Sequence, residues 1–60
     1  MDIAEVLELL ERRSQEHKQR RDCRARIPSP EARIAAQIHA SVAEELDKVI
    51  AEIRERMAVA

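Results

Sequence analysis

The two prolines of this glycine-free, 60-residue chain stand two positions apart, in Arg26-Ile27-Pro28-Ser29-Pro30-Glu31-Ala32. Pro28 drives Ile27 out of the helical region, so a helix arriving from the N-terminal side must end around Arg24 to Arg26. Ser29-Pro30-Glu31 opens the next helix. Serine caps it, proline suits the first helical position because its missing N–H has no helical partner there, and glutamate suits the positive helix end. Asp2 followed by Glu5 is a capping pair that opens a first helix near Ile3. The chain therefore reads as one unit, 1–60, with a helix over 3–25, a turn over 26–29 and a helix over 30–58.

Apolar residues recur at a 3-4 spacing in both segments. The first carries a seam of Ile3, Leu7, Leu10, Ser14, His17 and Arg21. The second carries Ala35, His39, Val42, Leu46, Val49 and Ile53, widened by Ile34, Ile38, Ile50 and Met57. An antiparallel turn at residue 28 sets Ile3 against Ile53, Leu7 against Val49, Leu10 against Leu46, Ser14 against Val42, His17 against His39 and Arg21 against Ala35. Large side chains meet large ones at the open end, and polar residues meet small or polar ones near the turn. Two seams that agree in register predict an all-α fold, an antiparallel two-helix hairpin.

With no aromatic residue to fill a core, so short a chain has little to stabilise a lone hairpin. Self-association into a four-helix bundle is expected, through Ile3, Val6, Leu7, Leu10, Val42, Leu46, Val49, Ile50 and Ile53. Val6, Leu9 and Ile50 are expected to be least covered within one hairpin.

Formal net charge is −1 and gives no global signal for nucleic acid. The charge is nevertheless unevenly placed. Asp2, Glu5, Glu8 and Glu11 make the first eleven residues acidic, whereas residues 12–26 carry a net of +5. A homodimer with its turns at opposite ends sets acidic ends against basic ones, so antiparallel pairing is expected.

Nothing in the chain resembles an enzyme site, and no catalytic residue, metal, cofactor or small-molecule substrate is expected. A glycine-rich phosphate loop cannot form without glycine. Cys23, the single cysteine, has flanking arginines but no histidine at obvious reach. Ser14 and Ser41 read as small residues that let helices approach. His17 and His39 share a layer, and two subunits could bring four imidazoles together. No cysteine or carboxylate stands beside them at a ligand spacing, so a register-setting polar layer that titrates near pH ~6 is the expectation. A lone thiol suits a reducing compartment. No apolar run approaches the ~20 residues of a membrane span, and the acidic start lacks the shape of a signal peptide. A cytoplasmic protein that avoids the membrane is expected.

Arg13, His17, Arg20 and Arg24 fall on one helical stripe, with Arg21 beside it. Such a ridge can follow a phosphate backbone, or its stems can cover the end of a bundle while the guanidinium groups meet acids of a neighbour. Missing aromatic rings count against single-stranded nucleic acid, whose bases stack on them. In length, hairpin layout and 3-4 seams the chain resembles the Rop family of plasmid copy-number regulators. That resemblance implies a dimeric four-helix bundle that binds paired RNA loops, although the aromatic residue used there for RNA has no counterpart here. The function expected first is a small adaptor or regulator that homodimerises and binds another protein through a bundle face. Binding of RNA or DNA through the arginine stripe comes second, and a structural oligomerisation module third. So short a chain suits a phage or mobile-element accessory protein.

Overall fold

The computed structural model describes residues 1–59, which form two helices packed against each other with no strand among them. Helix α1 spans Ile3–Ala25 and α2 spans Pro30–Val59. The hairpin measures 47 × 18 × 12 Å. Asp2 is extended, and its Oδ1 accepts from the Glu5 backbone N–H at 2.9 Å, satisfying one of the orphan donors of the first turn. Ser29 does the same for α2, its Oγ accepting from the Ala32 N–H at 3.1 Å. At the end of α1, the Arg26 N–H donates to the Cys23 carbonyl and the Ile27 N–H to that of Arg24, at 3.3 and 3.0 Å. These tighter contacts close the helix before Pro28.

The most deeply buried positions between the helices are mostly small residues. Ala32, Ala36, Ala43 and Ile50 are buried on α2, and Ser14 is buried on α1. This differs from the expected seam of Ala35, Val42, Leu46 and Val49. Each position moves on by one residue, to Ala36, Ala43, Asp47 and Ile50. One residue is a rotation on the order of 100° about the helix axis. Polar contacts accompany the change of face. Ser14 Oγ donates to Asp47 Oδ1 at 2.6 Å, Lys18 Nζ lies 3.0 Å from Asp47 Oδ2, and Arg54 pairs with Glu11. These links join the Asp47–Arg54 edge of α2 to α1, with the aliphatic stripe turned to the side. Ser14 thus faces Asp47, not Val42. The expected meeting of His17 with His39 does occur.

Ile50, expected to be among the residues least covered within the hairpin, is 5% exposed and is the one large aliphatic side chain among the buried described residues. The other large aliphatics fare differently. Ile34 and Ile38 are 58% and 57% exposed, and Ile3, Val49 and Met57 also face outward. Two helices share one line of contact, so each keeps most of its circumference in water. Ser41 is exposed and takes no part in the helix approach.

Candidate functional site

The roll of α2 gives the hairpin two unlike edges. On the polar edge Asp47 stands between Ser14 and Lys18, and one further step along the pair Arg54 meets Glu11. Ser14 Oγ and Lys18 both favour the ionised carboxylate, and they hold Asp47 below its ordinary value, the Ser14 hydrogen bond contributing most. A carboxylate lowered in this way adds stability above its unfolded value of 3.8, lost as the pH falls through the lowered folded value. Ser14→Ala is expected to raise the Asp47 midpoint toward its ordinary value and to lower the urea midpoint near neutral pH. Carbon-detected NMR titration of Asp47 checks this, and an unmoved midpoint would contradict the arrangement. A sequence signal for this edge does exist. Glu11 and Lys18 are seven residues apart, as are Asp47 and Arg54, with opposite signs in antiparallel order.

The opposite edge is apolar around a pair of histidines. His17 and His39 are half-buried, their Nδ1 atoms 2.9 Å apart and their ring centroids 5.2 Å apart. At that distance one Nδ1 carries a proton and donates, while the other offers its lone pair. Burial first, then the positive charges of His17, Arg20 and Arg24, lower the pKa of His39 from 6.5. Residues seven apart share a helix face. Leu10 therefore lies on the edge of His17, and Leu46 on that of His39, with Val42 one turn from His39. Val42, Leu46 and Val49 form a shallow recess flanked by Ser41 and Glu45.

The other expected binding residues are dispersed. Arg13 pairs with Glu16 at 3.3 Å and half-buried Arg21 with the adjacent Asp22 at 2.9 Å. Arg20 and Arg24 are exposed and have no acidic partner among the described residues. Of the expected interface residues, Val6, Leu7, Leu10, Val42, Leu46 and Ile53 are half-buried, Ile3 and Val49 are exposed, and Ile50 is committed to the hairpin.

In chemical terms the site holds, positions and covers. Ser14 is 3% exposed and donates to a carboxylate, and the exposed Cys23 thiol lies outside the histidine pair. Among the described residues no three potential metal-ligating His, Cys, Asp or Glu side chains cluster. No described helix is long and apolar enough to cross a membrane. Comparison with protein-family models, curated proteins and solved structures finds no match for this chain. The resemblance to the Rop family therefore rests on layout alone.

Proposed function

We propose that this chain is a small, non-enzymatic adaptor or regulator of the cytoplasm. It pairs with a second copy to complete a four-helix bundle and binds a protein partner through a face of that bundle. One observation carries the reading: along the aliphatic stripe of α2, Ile34, Ile38, Val49 and Met57 are exposed and Val42 and Leu46 are only half-buried. A contiguous apolar strip rimmed by charge is an association surface.

The test combines Val42→Ser, Leu46→Ser and Val49→Ser in one variant. These side chains stand outside the line of Ala36, Ala43 and Ile50, so the variant is expected to keep its helicity. Sedimentation equilibrium at micromolar concentration is expected to give a dimer for the unaltered chain and a 6.9 kDa monomer for the variant. Affinity capture with the unaltered chain is expected to retain a protein that the variant loses. A folded monomer at every concentration for the unaltered chain would defeat self-association.

A second reading, duplex DNA or structured RNA held through phosphates, draws on exposed Arg20 and Arg24. It expects binding at low salt that weakens steeply as salt rises and disappears in a combined Arg13→Gln, Arg20→Gln, Arg24→Gln variant. On the adaptor reading, neither duplex DNA nor hairpin RNA is shifted in a gel even at low salt.

A further inference from the structure

The polar edge is closed by its own ion pairs, whereas the opposite edge is open, aliphatic and centred on two imidazoles that share one hydrogen bond. We infer that a second copy docks antiparallel on this histidine edge, and that the His17–His39 pair makes the docking proton-sensitive, so that acid separates the copies. The inference rests on the self-association proposed above and specifies its face, its orientation and its control.

Orientation follows from charge along one stripe of α1. Steps of three and four residues connect Asp2, Val6, Leu10, Arg13, His17, Arg20 and Arg24 on that side of the helix. Asp2 and Glu5 stand exposed at one end of the stripe, and Arg20 and Arg24 stand exposed at the other, none with an ion-pair partner among the described residues. A copy turned end for end brings the acids of each chain to the arginines of the other. A parallel copy would stack Arg20 and Arg24 on themselves. Arg13 is neutralised locally by Glu16 at 3.3 Å, so it does not oppose an approach near the middle of the stripe. In the register that sets Asp2 against Arg24, Leu9 and Leu10 of one copy pass over His17 of the other.

That cover makes the imidazoles sensitive. With no more than one proton shared between the Nδ1 atoms, the 2.9 Å hydrogen bond stands. A second proton makes both nitrogens donors, removes the bond and sets two like charges side by side. The charged groups around the pair offer little compensation. On α1 they are Arg13 with its Glu16, then Arg20, Arg21 with its Asp22, and Arg24. On α2 the residues one turn either side of His39 are Ala35, Ala36, Val42 and Ala43, without a carboxylate. From the second copy the nearest acids, Asp2 and Glu5, are engaged by Arg20 and Arg24, and the side chains over the rings are leucines. Burial under leucine disfavours an imidazolium. His39 is already lowered from 6.5 in the single hairpin by burial and by its positive neighbours. A histidine lowered on association contributes fully above its free value, and that contribution falls as the pH drops through the free value toward the bound one. Dissociation is therefore expected below about pH 6.5. If each copy takes up one proton on release, the dissociation constant rises up to about 100-fold per pH unit in that window.

The experiment uses sedimentation velocity at pH 7.5 and pH 5.0, with circular dichroism at both, on the unaltered chain and on a His17→Leu, His39→Leu variant. A His39→Gln variant serves as a milder second replacement. Nitroxide labels on Cys23 report orientation by pulsed electron resonance at pH 7.5. The unaltered chain is expected to be a dimer at pH 7.5 and a helical monomer at pH 5.0, with the doubly replaced variant dimeric at both. Labels are expected about 30 Å apart, ten residues of rise on either side of the two-fold. A label separation of about 10 Å would overturn the antiparallel face while leaving self-association intact. An unaltered chain that stays dimeric at pH 5.0, or a doubly replaced variant that still dissociates there, would overturn the proton control. A chain monomeric already at pH 7.5 would overturn both this inference and the reading on which it rests.

Discussion

Ile50→Ala is expected to cost the hairpin about 2–5 kcal/mol, the range for removing a buried large aliphatic side chain when its surroundings relax only in part. Ile50 is 5% exposed, and the other most buried side chains are alanines and one serine. Urea unfolding followed by circular dichroism reads the loss. Val49→Ala supplies the contrast, because Val49 lies one residue away and is 44% exposed. Its effect is expected to be small in a dilute, monomeric sample and to grow with protein concentration as the exposed stripe becomes covered. Ile50→Ala lowers the midpoint at every concentration. An Ile50→Ala midpoint within about 0.5 kcal/mol of the unaltered chain, the size of an ordinary surface change, would mean that α2 does not present Ile50 to α1.

That contrast bears on how far the sequence alone carries the fold. Helix ends are local. Asp2, Ser29 and the two prolines act within three or four residues of themselves, so the capping serine, the proline at the first helical position and the turn can be read without knowledge of the rest of the chain. Which side of α2 meets α1 is not local. The large aliphatics Val42, Leu46 and Val49 trace the strongest periodic stripe, and hydropathy alone assigns them to the contact. Ala36, Ala43 and Ile50 form a second line one residue on, and choosing between the lines requires weighing aliphatic area against charge. The evenly spaced pairs Glu11–Lys18 and Asp47–Arg54, with Ser14 reaching Asp47, favour the second line. Read as a solvated surface, Asp47 and Arg54 give no warning of that. The histidine layer was legible because His39 lies close enough to either line to reach His17, at 2.9 Å between Nδ1 atoms. The same rotation turns the apolar stripe outward, so the residues that looked like the hairpin's core become the surface on which the proposed partner rests.

Ala43→Leu separates the two lines most sharply. On the line traced by large aliphatics, position 43 lies beside the seam, and a leucine there would extend the stripe at no cost. In the structure Ala43 is 2% exposed, the most enclosed side chain among the described core residues. A leucine must push the helices apart or leave its preferred rotamers, and overpacking of this kind costs about 1–3 kcal/mol. Because the contact is a single line, the strain has few neighbours to spread into and is expected to open both edges at once. On the polar edge the 2.6 Å hydrogen bond from Ser14 Oγ to Asp47 Oδ1 lengthens. Asp47 then loses the contact that lowers it most, and its midpoint rises toward the ordinary carboxylate value. On the other edge the His17 and His39 rings separate, and the hydrogen bond that opposes double protonation weakens. Thermal unfolding, the Asp47 titration and the His39 titration are therefore expected to move together in Ala43→Leu, with His39 rising. None is expected to move in Ala58→Leu, where the alanine is exposed near the end of α2. Unchanged stability and unchanged titrations in Ala43→Leu would show that the helices do not meet at this alanine, because a packed position cannot accept the larger side chain without disturbing at least one of the two edges it holds together.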